Sequence, residues 1–490
     1  MIFNSYSFIL IFLPIVVTVH YLLKRLHRPV VSKCFLLCAS FFFYGYHNKR
    51  ALLVLTVSML FNYSVAYLMT KNKERPHIGK LLLAAGITVD IGALVYCKYL
   101  GFFSSLAASL VHSDFVMSSV ILPLGISYYT FSQIAYLVDC FRDSSDSCSL
   151  LDYLLFVSFF PKVSIGPIAF SQEMIPWFDR SVRDDTDYDR IGAGLMAFAF
   201  GLAKKMLLAD TLAKYTDWGY MNIDLLGSTG ALLVMLSFTM QIYFDFSGCC
   251  DMAKGVCLML GMDLPVNFDS PYRSLSINEF WKRWHITLTR FFRKYVYFPL
   301  GGNRKGKVRT YINYFIVFLL SGLWHGASLT FLVWGMVHGA GIIASKLLSP
   351  YSAKWPKAIR FILTFSFVNL AWVYFRAEDI ATAHAFFAQL FTGGIRPIEA
   401  LFIASVTPPE FQTLQWLFLT YTPIDPYYSG FVIIAGILLF SVIASICMKN
   451  TDERIAAFRP SGRLVAVTTA LMFLSLLSLS AFSKFLYVNF

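Results

Sequence analysis

Long runs of apolar residues alternate with short polar segments along the chain. Many of them have the length of about 20 residues that an α-helix needs to cross a bilayer. The clearest runs are 7–23, 51–69, 81–97, 115–137, 190–209, 228–246, 312–340, 358–375, 431–448 and 464–482. Shorter runs at 34–46, 100–112 and 151–170 fit short spans or re-entrant segments. The pattern predicts an all-α polytopic membrane protein with about 11 or 12 membrane helices.

Basic residues between these runs predict how the chain is oriented, because Lys and Arg collect in cytosolic loops. They follow the runs 7–23 and 51–69 and precede the last run: Lys24, Arg25, Arg28, Lys71, Lys73, Arg75, Lys80, Lys449, Arg454, Arg459 and Arg463. We therefore expect these loops in the cytosol, both termini outside and an even number of crossings. The first run has no charged segment before it and no small-residue cleavage site, so we expect it to be retained.

Composition supports the membrane assignment. The chain is 57% hydrophobic and 14% charged, and a soluble domain has no core large enough to hide that much apolar surface. The net charge of +13 does not indicate nucleic-acid binding, because the basic residues lie where membrane topology predicts them. The nine cysteines form no CxxC pair, so we interpret them as packing residues and predict no disulfide framework and no metal site.

Proline and glycine interrupt apolar sequence at 122–129, 160–167 and 298–302. Irregular backbone at membrane depth is tolerated where protein or a water-filled cavity covers it. These three segments are therefore expected to line a cavity, with simple kinks in membrane helices as the alternative. Polar residues also interrupt the run 228–246 near its end, namely Gln241, Tyr243, Asp245 and Ser247, followed by Asp251. They either orient a catalytic group or hold helices together by hydrogen bonds, and the structural role is favoured for most of them.

A dense basic segment lies between residues 282 and 309. It contains Lys282, Arg283, Arg290, Arg293, Lys294, Arg304, Lys305, Lys307 and Arg309. Topology and attraction to anionic membrane lipids explain such a cluster. A sharper hypothesis is a cytosolic mouth for a phosphate-bearing substrate, held by Arg290, Arg293, Lys294, Arg304 and Lys305 and by the backbone amides of Gly301-Gly302.

Two histidines belong to this region: His285 lies near the start of the basic segment, and His325 follows its end. His325 lies in an apolar run beside Trp324, between Gly322 and Gly326, whose missing side chains allow close backbone approach and an open passage. A neutral buried imidazole is a good general base, although a hydrogen bond between helices is the plainer role.

His285 closes the sequence Trp281-Lys-Arg-Trp284-His285, and these two tryptophans are expected to line the same site. His338 is placed at the far end of its helix and is interpreted as structural. Chemistry is therefore expected at about residues 240–340.

Long motifs resemble the bacterial membrane-bound O-acyltransferases, in particular the membrane subunits of alginate O-acetylation. They are QIYFDFSG, DMAKG, LGMDLPVNFDSPY, SINEFWKRWHITLTRFFRKYVYFPLGGNRKG and LLSGLWHGASLTFLVWGMVHG, with LPLGISYYTFSQIAYLVD, FPKVSIGP and WVYFRA. The sequence is less typical of the family at Lys162, Cys249 and Cys250.

The resemblance implies a single domain over 1–490, in the bacterial cytoplasmic membrane, with helices around a funnel that opens to the cytosol. His325 matches the essential histidine, and His285 matches a second one that helps in positioning. The donor is expected to be cytosolic acetyl-CoA, with no bound cofactor, and the acceptor an exported polysaccharide.

The residues 485–490 resemble an aromatic tail of these enzymes, in which a tyrosine, here Tyr487, is proposed to carry the acyl group. A phenol is easier to activate than a sugar hydroxyl. An extracytoplasmic SGNH-hydrolase-like partner would then move acetyl to the polymer. The plainer alternative for the tail is an interfacial aromatic anchor. For the whole chain the alternatives are D-alanyl transfer from a carrier protein, a transporter or flippase of a lipid-linked sugar, and a scaffold.

Overall fold

A computed structural model describes residues 1–46, 48–111, 123–143, 148–395, 416, 420 and 426–480. Regular secondary structure in these residues is entirely helical. The all-α membrane protein predicted from the sequence is thereby confirmed. Seven helices there are long and apolar enough to cross a membrane, and four further apolar helices have 10–17 residues.

The first part of the chain, before position 184, contains helices α1 to α9. They are α1 (Ser7–Arg25), α2 (Pro29–Gly45), α3 (Lys49–Lys71), α4 (Pro76–Lys98), α5 (Leu100–Val111), α6 (Ile126–Asp143), α7 (Leu150–Ser158), α8 (Phe160–Val163) and α9 (Ser171–Arg183). The run 151–170 is thus broken into two short helices, because Phe159 leaves helical geometry and Pro161 starts a new turn. This is one of the interruptions predicted from proline and glycine.

The remainder begins with two long helices that form the centre of the protein. It contains α10 (Tyr188–Met221), α11 (Gly227–Met259), α12 (Ile277–Arg283), α13 (Ile286–Phe292), α14 (Lys307–His325), α15 (Leu329–Ser352), α16 (Lys357–Arg376), α17 (Ile380–Thr392), α18 (Pro426–Cys447), α19 (Thr451–Ala456) and α20 (Gly462–Leu477). Helix α11 is the most enclosed of the candidate spans, because 83% of its most apolar 18-residue stretch is buried. Helix α10 packs along it at Gly201 and Gly248, where a Cβ on either residue would collide with the other's carbonyl oxygen.

The apolar run 312–340 was predicted as one span and is instead a hairpin of two helices. Helix α14 ends at His325 because Gly326 is extended, and α15 begins where the Ser328 hydroxyl accepts a hydrogen bond from the Thr330 amide. The helices touch at Gly322 and Gly335, where a Cβ would collide with the opposite backbone. Hydropathy alone cannot detect such a reversal, because both arms are apolar.

Candidate active site

His325 is the last residue of α14, and aromatic side chains enclose it. Its ring centroid lies 4.9 Å from that of Trp324, 5.1 Å from Trp334 and 5.1 Å from Phe375. The side chain is 3% exposed. The end of α14 therefore places the imidazole within a buried aromatic wall.

His285 lies between α12 and α13 in the left-handed region, with φ 43°, a conformation that costs energy for a residue with a side chain. Its Nδ1 lies 3.1 Å from Asn267 Oδ1. That oxygen also accepts hydrogen bonds from the Thr287 amide and hydroxyl, so it is the acceptor and His285 Nδ1–H is the donor. The Nε2 atom then carries the lone pair, and it has no hydrogen-bond partner among the described residues.

Burial lowers the pKa of His285 to about 3, because desolvation disfavours the charged imidazolium. This histidine lies in the connection between α11 and α14, outside the helices that are candidate spans. It is therefore neutral at physiological pH, with a fixed tautomer and an accepting nitrogen.

One indole links the two histidines. The ring of Trp324 is 5.9 Å from His285 and 4.9 Å from His325. It packs against Phe131 at 5.5 Å. The start of the basic segment and the end of α14 therefore bring His285 and His325 to one enclosure.

His338 belongs to the same enclosure, which corrects the prediction that it sits at a helix end. It is in the interior of α15 and fully buried. Its Nδ1 accepts a hydrogen bond of 3.2 Å from Trp281 Nε1. Its ring is 4.8 Å from Trp334, which also contacts His325. Trp281 and Trp334 thus join His338 to His325, while Trp324 joins His325 to His285. We call these three indoles with His285, His325 and His338 the histidine enclosure.

The other predicted wall residues lie around this enclosure. Trp284 is 5.1 Å from Trp372 and 6.3 Å from Tyr243, measured between ring centroids. Gly322 and Gly326 do not leave an open passage, because Phe331 fills the space beside both. Their small size allows the hairpin of α14 and α15 to close instead.

Asp245 has a different setting from the one suggested by its place in the sequence. It lies in the middle of α11 rather than near a helix end. Its carboxylate is 2.6 Å from the Lys205 ammonium, which also pairs with Asp210 at 2.7 Å. Asp251 makes a similar 2.6 Å ion pair with Lys204. These pairs join α10 to α11, in agreement with the structural role favoured for the polar residues of this run.

The basic segment divides into paired and unpaired cations. Arg290 binds Glu173 through two hydrogen bonds, one of them 2.8 Å, and Lys294 pairs with Asp139 at 2.9 Å. Arg304 and Lys305 are exposed on the turn before α14. The amides of Gly301 and Gly302 were predicted to be open to a phosphate, but each donates to a carbonyl of the preceding turn, so they are not available.

Arg293 faces a cavity of about 320 Å³. Lys282 and Lys346 also line it, and apolar and aromatic side chains including Trp281 form the rest of its wall. Trp281 packs 5.7 Å from Trp334, which lies 5.1 Å from His325, so two indoles in series connect the wall of this cavity with His325. The cavity therefore combines cations with an apolar interior next to the histidine enclosure.

Three further residues support the histidine segments and were not predicted from the sequence. Asn267 orients His285, as described above. Lys98, at the end of α4, donates hydrogen bonds of 2.7 and 2.9 Å to the carbonyls of Trp324 and His325, and the Tyr99 hydroxyl donates to the Leu323 carbonyl. The signal for Lys98 was ambiguous, since a lysine after an apolar run is also a topology signal. Tyr487 lies outside the described residues.

Comparisons with known proteins concern the chain as a whole. The family model described as MBOAT, membrane-bound O-acyltransferase family, matches residues 79–381. The peptidoglycan O-acetyltransferase of Helicobacter pylori is 38% identical over 78% of this chain and 78% of its own. The probable alginate O-acetylase AlgI of Pseudomonas aeruginosa is 34% identical over 88% and 82%. The teichoic acid D-alanyltransferase of Bacillus subtilis is 27% identical over 53% and 70%.

Proposed function

Because the chain belongs to the membrane-bound O-acyltransferase family and is a multi-pass O-acyltransferase, we propose that it transfers acetyl from cytosolic acetyl-CoA for O-acetylation of an exported polysaccharide. The observation that carries the proposal is the histidine enclosure beside a cation-lined cavity. The relatives named for O-acetylation of peptidoglycan and alginate support acetyl as the group and a polysaccharide as the final acceptor.

In the proposed reaction His325 acts as the general base. It removes the proton of an acceptor hydroxyl while the hydroxyl oxygen attacks the thioester carbonyl. The C–S bond then breaks, and the proton held by His325 passes to the departing CoA thiolate. His285, whose Nε2 lone pair is available to accept a hydrogen bond because Nδ1–H is bound to Asn267, would orient the hydroxyl. Such proton transfer contributes about 10²- to 10⁴-fold to rate.

The cavity beside Trp281 is the proposed donor site. Arg293, together with Lys282 and Lys346, would bind the phosphates of CoA. Arg304 and Lys305 would attract the donor from the cytosol. Arg290 and Lys294 have a smaller role in this scheme, because their charges are already balanced by Glu173 and Asp139.

Acetyl then leaves in a second step on the far side of the membrane. In the proposal the acceptor hydroxyl is that of Tyr487, and an SGNH-hydrolase-like partner moves acetyl from the tyrosyl ester to the polysaccharide. A phenolate is a good leaving group, so the ester keeps its transfer potential. This scheme places the enzyme in the bacterial cytoplasmic membrane with both termini outside, as the basic loops predict.

The similarity to a teichoic acid D-alanyltransferase favours one second candidate, transfer of D-alanine from a carrier protein. It covers about half of the chain, against more than three quarters for the O-acetylation relatives. Donor identity separates the two candidates directly.

The test uses purified protein in detergent with acetyl-CoA labelled in the acetyl group. We expect CoA release and label on the wild-type chain, loss of both in His325→Ala by at least about 10²-fold, and loss of chain label in Tyr487→Phe. A Lys354→Gln variant, altered at an exposed lysine between α15 and α16, is the control. Tyr487→Phe should also lose CoA release, because the proposed acceptor hydroxyl is missing, and CoA release at the wild-type rate by this variant would overturn the relay. If folded wild type ignores acetyl-CoA but accepts a charged D-alanyl carrier, the second candidate is correct.

A further inference from the structure

A second cavity, of about 260 Å³, is formed mainly by α10, α11, α18, α19 and α20. Its walls are mainly apolar, with Phe200, Leu207, Leu208, Phe440 and Leu471 among them. Phe440 is 48% exposed, so the cavity is open at the side where the outer helices would meet lipid. An apolar space of this kind suits a hydrocarbon chain.

Cations gather at one end of this cavity. Arg454 lies half-buried with its guanidinium 5.0 Å from the centre of the Phe200 ring. Its Nε donates to the Lys449 carbonyl at 3.1 Å, which keeps the two residues together. Lys449 is exposed beside it. Both belong to the loop that basic residues predict to be cytosolic.

The neighbouring acidic groups are already paired. Asp251 binds Lys204 and the Thr451 hydroxyl, and Asp452 binds Lys254 at 2.5 Å. Glu453 accepts from the Asn450 amide at 2.9 Å. Among the residues that the structure describes, no carboxylate lies within 4 Å of the Lys449 or Arg454 cation. The rim therefore presents two positive charges next to an apolar space.

We propose that this cavity binds an anionic phospholipid of the cytosolic leaflet, with the phosphate on Lys449 and Arg454 and an acyl chain along Phe440 and Leu471. Anionic headgroups are attracted to clustered Lys and Arg at the membrane surface. The apolar wall selects a lipid over a free anion, because a headgroup alone leaves that wall uncovered. The bound lipid joins α10 to the α18–α19 connection and stabilises the assembly.

The experiment compares phosphatidylglycerol with phosphatidylcholine of the same chains, added to delipidated full-length protein in detergent. Native mass spectrometry measures bound lipid, and thermal denaturation measures stabilisation. We expect phosphatidylglycerol to bind more tightly and to raise the melting temperature. In Lys449→Gln/Arg454→Gln its affinity should fall about 30-fold, about fivefold for each cation, while binding of phosphatidylcholine is unchanged.

A matched control is Lys354→Gln/Lys357→Gln, which removes two exposed cations at the start of α16 and should leave phosphatidylglycerol affinity unchanged. Ala444→Trp narrows the cavity without altering its charge, so it should weaken lipid binding. Glycerol phosphate alone should neither bind nor compete with phosphatidylglycerol. Equal affinity for the two lipids, or an equal loss in the control double variant, would overturn the proposal. Competition by glycerol phosphate would assign the rim to a soluble anion instead.

Discussion

Two regions of this protein bury ionisable side chains, and they satisfy them in opposite ways. Between α10 and α11, Lys204 and Lys205 pair with Asp251 and Asp245 at 2.6 Å. In the histidine enclosure, by contrast, aromatic rings pack around His285 and His325. A buried charge needs a counter-charge, whereas a neutral imidazole needs only a hydrogen bond and can still exchange a proton.

Buried polar residues of this protein therefore have two different roles. Paired groups hold helices together, and their removal is expected to harm the fold. Neutral groups held in one tautomer are suited to chemistry, and their removal is expected to harm turnover first.

The largest effect is expected from Lys205→Met. It leaves the Asp245 carboxylate buried in the middle of α11 without its ammonium partner, which costs about 3–5 kcal/mol in comparable cases. We expect low yield from membranes and a strongly reduced melting temperature in detergent.

The control for that effect is the double variant Lys205→Met/Asp245→Asn, which removes both charges and should recover part of the stability. Lys354→Met, at an exposed position, should change little. If Lys205→Met kept its melting temperature but lost acyl transfer, the ion pair would belong to the reaction and the division would fail.

A smaller loss of stability is expected at acid pH, where His285 opposes folding because it is neutral in the folded protein. Its pKa is about 3 in the folded protein and about 6.5 when unfolded. The unfolded state therefore binds a proton first as pH falls, so stability is complete above pH 6.5 and is lost between pH 6.5 and 3. When the pH falls from 7.5 to 5, this histidine should lower the free energy of unfolding by about 2 kcal/mol.

His285→Gln removes this titration, so its stability should fall less between pH 7.5 and 5 than that of wild type. Denaturation of both proteins at the two pH values gives the difference, and groups common to both cancel. Parallel pH dependence in the two proteins would contradict a neutral, desolvated His285. Asn267→Ala should lower turnover as well, because it removes the acceptor that orients the ring.

The sequence predicted the class of fold and the histidine-bearing region more fully than it predicted which side chains form ion pairs and hydrogen bonds with each other. Apolar length is a local property, so the spans could be located from hydropathy. Partners are non-local. The cations Arg290 and Lys294 meet Glu173 and Asp139 from distant helices, and only the folded structure distinguishes them from Arg293, which faces the cavity.

His338 illustrates the same limit. Its position along the sequence gave no sign that Trp281 would donate a hydrogen bond to it or that Trp334 would lie between it and His325. The hairpin after His325 was missed because both of its arms are apolar. The glycine pair and the capping serine that form it can be recognised only once a reversal is considered.

The smallest expected effect concerns Lys98, which joins the two kinds of region because it is a cation serving the histidine enclosure. Its ammonium donates hydrogen bonds to the carbonyls of Trp324 and His325, which lie at the end of α14 that faces α4. Cations favour helix C-termini through both hydrogen bonds and the helix dipole. If His325 is the base of the proposed reaction, Lys98→Met should lower kcat about tenfold, equivalent to about 1.4 kcal/mol. The KM for acetyl-CoA should stay unchanged, because the cavity lined by Arg293 is intact.

Lys98→Arg retains the charge and two donors, so it should restore most of the turnover lost in Lys98→Met. Tyr99→Phe removes only the bond to the Leu323 carbonyl and reports on the helix end without changing charge. A raised KM with normal kcat in Lys98→Met would place this lysine in donor binding rather than in positioning. Wild-type turnover would mean that the aromatic contacts of His325 fix the imidazole without the ammonium, and the enclosure would then be independent of any buried charge.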